Sequence, residues 1–371
     1  MDDMVGRRAA SGITITRAWP GKKRDRTVEG RDTRGHLRAG VLAARDGEPV
    51  TGDLDARAVA WLPHGRDPKL PTLALGPGDE LLVHRAGRRA VVRRVDGAFV
   101  KHLRSGRAQG VAGTSAALAD LCRAHGIDAP EVLECGNGHV VFSPLMGSSA
   151  GLETLDAALG VWAAHWPGLV TDSSFVGGSL PVHGPAEEAA VVDTWIDHLL
   201  TFRPASWVDG SVDRLRVLAL RARKALMGQG RETGQDLTPT PGSDHAAARG
   251  HDRLVVAHRD LHDGQVLWDA DTGALGLLDF DTAALAEPEL DVANLLVHLW
   301  LRADQGLWSQ SRARRAHKIV RGVSDRLGLD PVRLDAYRLA TAVRLVGVYG
   351  FRPAWQDPAG RWARELADAT P

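Results

Sequence analysis

Cysteine is nearly missing from this sequence: Cys122 and Cys135 are the only two in 371 residues. So few thiols, without a CxxC pair, exclude a disulfide-stapled secreted fold and point to a reducing cytoplasm. Long apolar runs are missing too. None approaches the roughly 18 residues that a membrane span needs, and Met1-Asp2-Asp3-Met4 begins no basic-then-apolar leader. Net charge is also absent, because 46 basic residues balance 46 acidic ones. Bulk electrostatics therefore favours neither nucleic acid nor an anionic membrane as a partner. Lysine is scarce: of the 46 basic residues six are lysine and 40 arginine. In such a chain, a lysine inside a strand is there for being lysine.

What is present is a composition of 44% hydrophobic and 25% charged residues, enough for two lobes with separate cores. Residues 1–55 are polar, with short alternations such as Ile13-Thr14-Ile15-Thr16 that predict a frayed start and one or two strands. From Asp79 the pattern sharpens. Leu81–Val83 and Ala90–Val92 flank a turn at Gly87, and Ala98–Lys101 follows the turn pair Asp96-Gly97. Thr114–His125 has helical character, with Gly126 as its stop. Glu131–Leu133 and His139–Phe142 read as further strands.

Ser143–Gly147 breaks this β-β-β-α-β-β order, which sets a boundary between a lobe of residues 1–147 and one of 148–371. The second lobe reads as mainly helical. Val191, Val192, Trp195 and Leu199 recur at helical spacing, continued by Leu215, Leu218 and Leu220. Residues 227–253 are rich in breakers and predict a surface loop. Leu254–Val256 and Leu275–Leu278 predict two strands of one hairpin. Helices resume at Asp291, a suitable N-cap, and Asp330-Pro331 marks another helix start. Trp162, Trp166 and Trp195 are expected in the core.

The chemistry concentrates in His258-Arg259-Asp260-Leu261-His262-Asp263-Gly264-Gln265 and in Leu278-Asp279-Phe280-Asp281. Phosphoryl transfer needs positioning and charge neutralisation more than covalent help. Asp260, on a loop after a strand, suits the group that orients an attacking hydroxyl. Asp279 suits a magnesium ligand, because hard oxygen donors match that ion. Gln265 offers an amide oxygen to the same ion, and Asp281 is a second metal ligand or a substrate contact.

These strings resemble the aminoglycoside phosphotransferases, choline kinases and their relatives, over about residues 79–300. The resemblance implies an α+β, bilobal protein-kinase-like fold: a small antiparallel sheet with one helix, then a mainly helical lobe. It implies ATP and Mg2+, a small-molecule hydroxyl acceptor, Asp260 as base, Asp279 as principal metal ligand and His258 as the prop of the catalytic loop. Lys101 sits where the family has its phosphate-binding lysine. It is also the only lysine in a clear strand. By the same resemblance, Ser143, Leu145 and Met146 form the hinge that holds adenine, and Asp291 braces the loop.

Three positions depart from the family pattern. Gln265 replaces Asn, no GxGxxG joins the first strands, and no glutamate follows Lys101 as its partner. These departures keep a feeble nucleotide-binding module as the alternative to an active enzyme. His258-x-Asp260-x-His262-Asp263 also superficially resembles the ligand set of a metallohydrolase. Arg88 and Arg89 read as a solvated edge. The acceptor stays open: Asp263, Asp281, Glu287 and Glu289 would suit a cationic one, while sugars or other alcohols fit equally. Trp300, Trp308, Tyr349 and Trp355 are expected to help shape its pocket.

Overall fold

The polar start of the chain carries three strands rather than one or two. In the computed structural model, which describes residues 12–21, 24–44, 54–149, 154–173, 180–204, 207, 210–228 and 254–369, β1 (Thr14–Pro20), β2 (Arg26–Arg31) and β3 (Leu37–Leu42) form an antiparallel meander. The short β4 (Ala60–Trp61) closes it in the order β1-β2-β3-β4. Its buried positions are partly polar. Arg26 and Glu29 are buried, Glu29 accepting the His84 backbone N–H at 2.9 Å and Arg26 stacking over Phe202 at 5.3 Å. A buried polar pair breaks the apolar alternation that would have advertised these strands.

A second antiparallel sheet follows, made of β5 (Glu80–Arg85), β6 (Arg89–Arg93), β7 (Phe99–Leu103), β8 (Val132–Cys135) and β9 (His139–Phe142). Its order is β5-β6-β7-β9-β8, with α1 (Ala108–Ala124) inserted between β7 and β8. Ala108 and Ala112 of that helix pack with Leu103 and Val140. Leu37 of β3 joins Leu70, Leu73, Leu81 and Val92 in a small core shared by the two sheets.

After β9 the chain crosses through β10 (Ser148–Ser149) into helices: α2 (Leu155–Val170), α3 (Pro185–Phe202) and α4 (Ser211–Leu226). Gly147 enforces this crossing. Its φ is +90°, and a Cβ there would lie 2.5 Å from the Trp268 carbonyl oxygen. Of the breaker-rich stretch 227–253, positions 229–253 lie outside the described residues.

Four short strands hold the chemistry: β11 (Val255–Ala257), β12 (Val266–Asp269), β13 (Ala274–Leu277) and β14 (Ala284–Ala286). Here the expected hairpin is corrected. β11 pairs with β14, and β13 pairs with β12, so the two apolar runs belong to different ribbons. The run Val266-Leu267-Trp268, directly after the loop, takes the place next to β13. α5 (Glu289–Asp304), α6 (Gln310–Leu327), α7 (Pro331–Gly350) and α8 (Gln356–Ala369) complete the chain.

Asp330 caps α7, accepting the Val332 N–H at 2.8 Å, with Pro331 in the first turn. Asp291 is not a cap: Pro288 holds that position and Asp291 lies in the first turn of α5. Leu220 faces out, 50% exposed, whereas Leu215 and Leu218 are buried. The helices bury Trp162, Trp362, Tyr337 and Phe202 almost completely. Each such aromatic removes a large apolar area from water. Trp166 is also core, while Trp195 is only half-buried.

Candidate active site between the lobes

A cavity of about 410 Å³ opens between the five-stranded sheet and the β12–β13 ribbon. Leu82, Val83, Val91, Phe99 and Phe142 supply apolar walls; Lys101, Gln265, Asp279 and Asp281 supply the charged and polar floor. An apolar slot with a few convergent polar groups is the usual form of a small-molecule site.

Lys101, on the middle strand β7, reaches across the cleft to two carboxylates. Its Nζ lies 2.8 Å from Asp279 and 2.6 Å from Asp281. The missing glutamate thus has substitutes from the other lobe, while α1 turns buried Ser115 toward the cavity. Burial alone would raise the Asp279 carboxyl, but the Lys101 ammonium, helped by Arg89, holds it below the ordinary carboxylate range. Arg89 is not merely a solvated edge, because its guanidinium lies 3.6 Å from Asp281.

The loop His258–Gln265 is shaped from behind by α5. Buried Asp291 accepts the backbone N–H groups of His258 at 2.6 Å and Arg259 at 2.7 Å. Those bonds hold Arg259 at φ +69°, a left-handed conformation that non-glycine residues seldom adopt. Asn294, one turn further along α5, donates to the Leu261 carbonyl at 2.9 Å and is held by Arg344 at 2.6 Å. Arg259 also donates to the Thr282 carbonyl, and Thr282 returns a bond to the His258 carbonyl. The loop is therefore tied at both ends before any ligand arrives.

His258 is buried, with its Nε2 2.7 Å from the Leu278 carbonyl and its ring against Phe280. It does not line the cavity. The bond to Leu278 couples the loop to the strand end that presents Asp279, itself at φ +63°. Asp260 is partly exposed, and among the described residues its carboxylate accepts no hydrogen bond. It too lies off the lining of the cavity.

Gln265 lines the same cavity as Asp279, and its amide nitrogen lies 3.5 Å from His262 Nε2. Two carboxylates already drawn to one cation, with a glutamine on the same cavity wall, supply hard-oxygen donors of the kind that fits magnesium. Ser143 and Leu145 line the cavity, and Leu145 rests on Gly276, where a Cβ would meet it at 2.3 Å. Met146 does not line the cavity; its side chain is 75% exposed.

The carboxylates considered for a cationic acceptor all have partners within the protein. Asp263 is clasped by Arg302 at 2.9 Å, Asp281 by Lys101, and Glu287 by Arg333. Buried Glu289 accepts the Asp330 N–H at 3.1 Å. His262, Asp263 and His298 cluster closely enough to hold a metal. However, Arg302 neutralises Asp263, and the Gly264 N–H occupies His262 Nδ1 at 2.9 Å. The His258-x-Asp260-x-His262-Asp263 string does not converge as a ligand set, since His258 bonds Leu278 instead. Of the tail aromatics, Trp308 and Tyr349 are buried and Trp300 is 37% exposed.

The arrangement defines a kinase-like phosphotransferase fold. Residues 183–332 match the model of the family described as "Phosphotransferase enzyme family". That stretch contains the loop and both acidic segments but not Lys101. No curated protein matches the sequence.

Among solved structures, the chain is similar to the aminoglycoside phosphotransferase APH(3'')-Id from Streptomyces rimosus ATCC10970. The identity is 19%, covering 72% of this chain and 92% of that one, with a TM-score of 0.50. It is also similar to APH(2'')-IIIa in complex with GDP and kanamycin, at 15% identity, 81% and 95% coverage and a TM-score of 0.50. The amicoumacin kinase hAmiN, in complex with AMP-PNP, Ca2+ and Ami, matches at 14% identity, 78% and 89% coverage and a TM-score of 0.52. The α+β bilobal kinase-like fold read from the sequence is thereby borne out, and so is the family resemblance.

Proposed function

We propose that this protein is an ATP-dependent O-phosphotransferase acting on a small-molecule alcohol, with the lobes dividing near Gly147. The observation that carries it is Lys101 bridging Asp279 and Asp281 across the inter-lobe cavity at 2.8 and 2.6 Å. A lysine from the sheet and two carboxylates from the helical lobe meet where phosphates and their metal would have to be neutralised. Lys101 steadies the phosphates once nucleotide displaces it from the carboxylates. Asp279, Gln265 and Asp281 hold Mg2+, which supplies charge neutralisation to the phosphates when bound.

Asp260 takes the proton of the acceptor hydroxyl as its oxygen attacks the γ-phosphorus, and ADP leaves as the bond to its β-phosphate oxygen breaks. His258 acts as a positioning residue, linking the Asp260 loop to the strand end before Asp279. The purine rests on Phe99, Phe142 and Leu145 beside the Ser143–Leu145 backbone. Because the four acidic candidates are internally paired, a neutral hydroxylated acceptor fits better than a polycation.

A feeble nucleotide-binding module is the second reading. The tight Asp67 bond to the Gly87 N–H, 2.5 Å, favours it, since it withdraws a turn donor from any phosphate. A screen of hydroxylated compounds with labelled ATP and magnesium separates the two. Label transfer to at least one alcohol is expected; nucleotide binding without transfer to any acceptor supports the module instead.

A further inference from the structure

A second cavity, of about 430 Å³, lies between the N-terminal sheet and the β5–β6 turn, and shares no lining residue with the inter-lobe cavity. Four cations line it: Lys69, Arg85, Arg88 and Arg104. Two carboxylates, Asp25 and Asp67, line it as well, so the wall carries two net positive charges. Asp67 is saturated, accepting the N–H groups of Gly87 and Lys69 and bonding His84. Among the described residues, none of the four cations has a carboxylate within ion-pair distance.

Arg85 is the most telling of them. Its guanidinium lies over the Trp19 ring at 5.3 Å, and its buried Nε has no hydrogen-bond partner. Burial, with repulsion from Arg88 and Arg89, pushes Arg85 down to about 10. A half-buried guanidinium with an unpartnered Nε, among three further cations, costs free energy that a bound anion would recover.

We propose that this cavity binds a small polyanion of the phosphate class, carrying at least two adjacent negative charges. Lys69, Arg88 and Arg104 are exposed at the mouth, where they admit and hold the outer charge, Arg104 keeping its Nε on the Gly87 carbonyl, while Arg85 on the Trp19 ring meets the inner one. Guanidinium groups match phosphate oxygens in a fixed fork, which a solvated basic edge does not exploit. A half-open pocket of this size suits a diphosphate-sized ligand rather than a nucleic-acid backbone. The site stands on the N-terminal sheet and does not depend on the phosphotransferase reading.

The test is calorimetric titration of the full chain with inorganic pyrophosphate at low salt. Lys101→Met is present throughout to silence the inter-lobe cavity. Saturable one-site binding is expected, weakened at least tenfold in Lys69→Gln/Arg88→Gln. Both of those side chains are exposed and have no described partner, so an unchanged unfolding temperature without ligand is expected. Arg104→Gln alone should weaken binding in the same direction. No saturable binding, an unaltered Kd in these variants, or orthophosphate binding as tightly as pyrophosphate would overturn the proposal.

Discussion

Replacing Asp291 by alanine tests whether α5 sets the geometry of the catalytic loop. In the protein, one buried carboxylate satisfies two backbone donors, those of His258 and Arg259. Alanine leaves both N–H groups buried without an acceptor, at about 1–3 kcal/mol each. It also releases Arg259 from its φ of +69°, which returns roughly 1 kcal/mol of strain. Burial pushes the Asp291 carboxyl up against the pull of His258, so removing that carboxyl offsets part of the loss. The net cost is about 1–4 kcal/mol, which for a chain of this length lowers Tm by roughly 1–5 °C. A loop free to shift by an ångström loses about a hundredfold in turnover. Asp291→Asn, with one oxygen for two donors, should fall between wild type and alanine. Calorimetry and steady-state transfer rates read both effects. A Tm within 1 °C of wild type together with full turnover would show that Asp291 does not set the loop's geometry.

Three further perturbations follow from the same geometry. Lys101→Met removes the cation between Asp279 and Asp281, and nucleotide affinity should fall at least tenfold; a titration with unchanged Kd would contradict the phosphate role. Arg89→Gln breaks a half-exposed contact to Asp281, so the nucleotide KM should rise no more than about fivefold, as surface pairs are worth about 1 kcal/mol or less; a fifty-fold rise would mean that Arg89 itself carries phosphate. Burial, with His139 and His84 nearby, pushes His102 down to about 4. The unfolded chain therefore takes up its proton first as pH falls below roughly 6.5, costing the fold about 2 kcal/mol by pH 5. In His102→Gln that part of the acid sensitivity should vanish from urea unfolding compared at pH 7 and pH 5; an identical pH dependence would show that His102 takes up its proton equally in the folded and unfolded chain.

How far the fold was legible depended on where burial was apolar. β5 to β9 announced themselves through Leu, Val and Phe alternating between turn glycines. β1 was signalled by the Ile13–Thr16 alternation, but β2 was obscured because Arg26 and Glu29 are both buried, one against Phe202 and the other on the His84 backbone. At the site, the residue types of Lys101, Asp279 and Gln265 were readable, and the cavity brings those three together. Their partners were not, because tertiary pairing leaves no local mark. Asp281 as a counter-charge for Lys101, Asn294 as a second brace and Arg302 on Asp263 come from segments with no shared spacing. The string Asp291-Val292-Ala293-Asn294 held one signal that could have been used: a polar residue three positions after Asp291 shares its helix face. Met146 carries no side-chain signal of a hinge role, because its side chain points to solvent.

The central claim is that Asp260 is the base for phosphate transfer from the inter-lobe cavity. Asp260→Asn keeps the shape and removes the proton acceptor, and among the described residues no structural hydrogen bond of that carboxylate is lost. Measured on the first acceptor found by the label screen, turnover should drop at least a thousandfold while the Kd for ATP with magnesium stays within threefold. Retained turnover in Asp260→Asn would contradict the account.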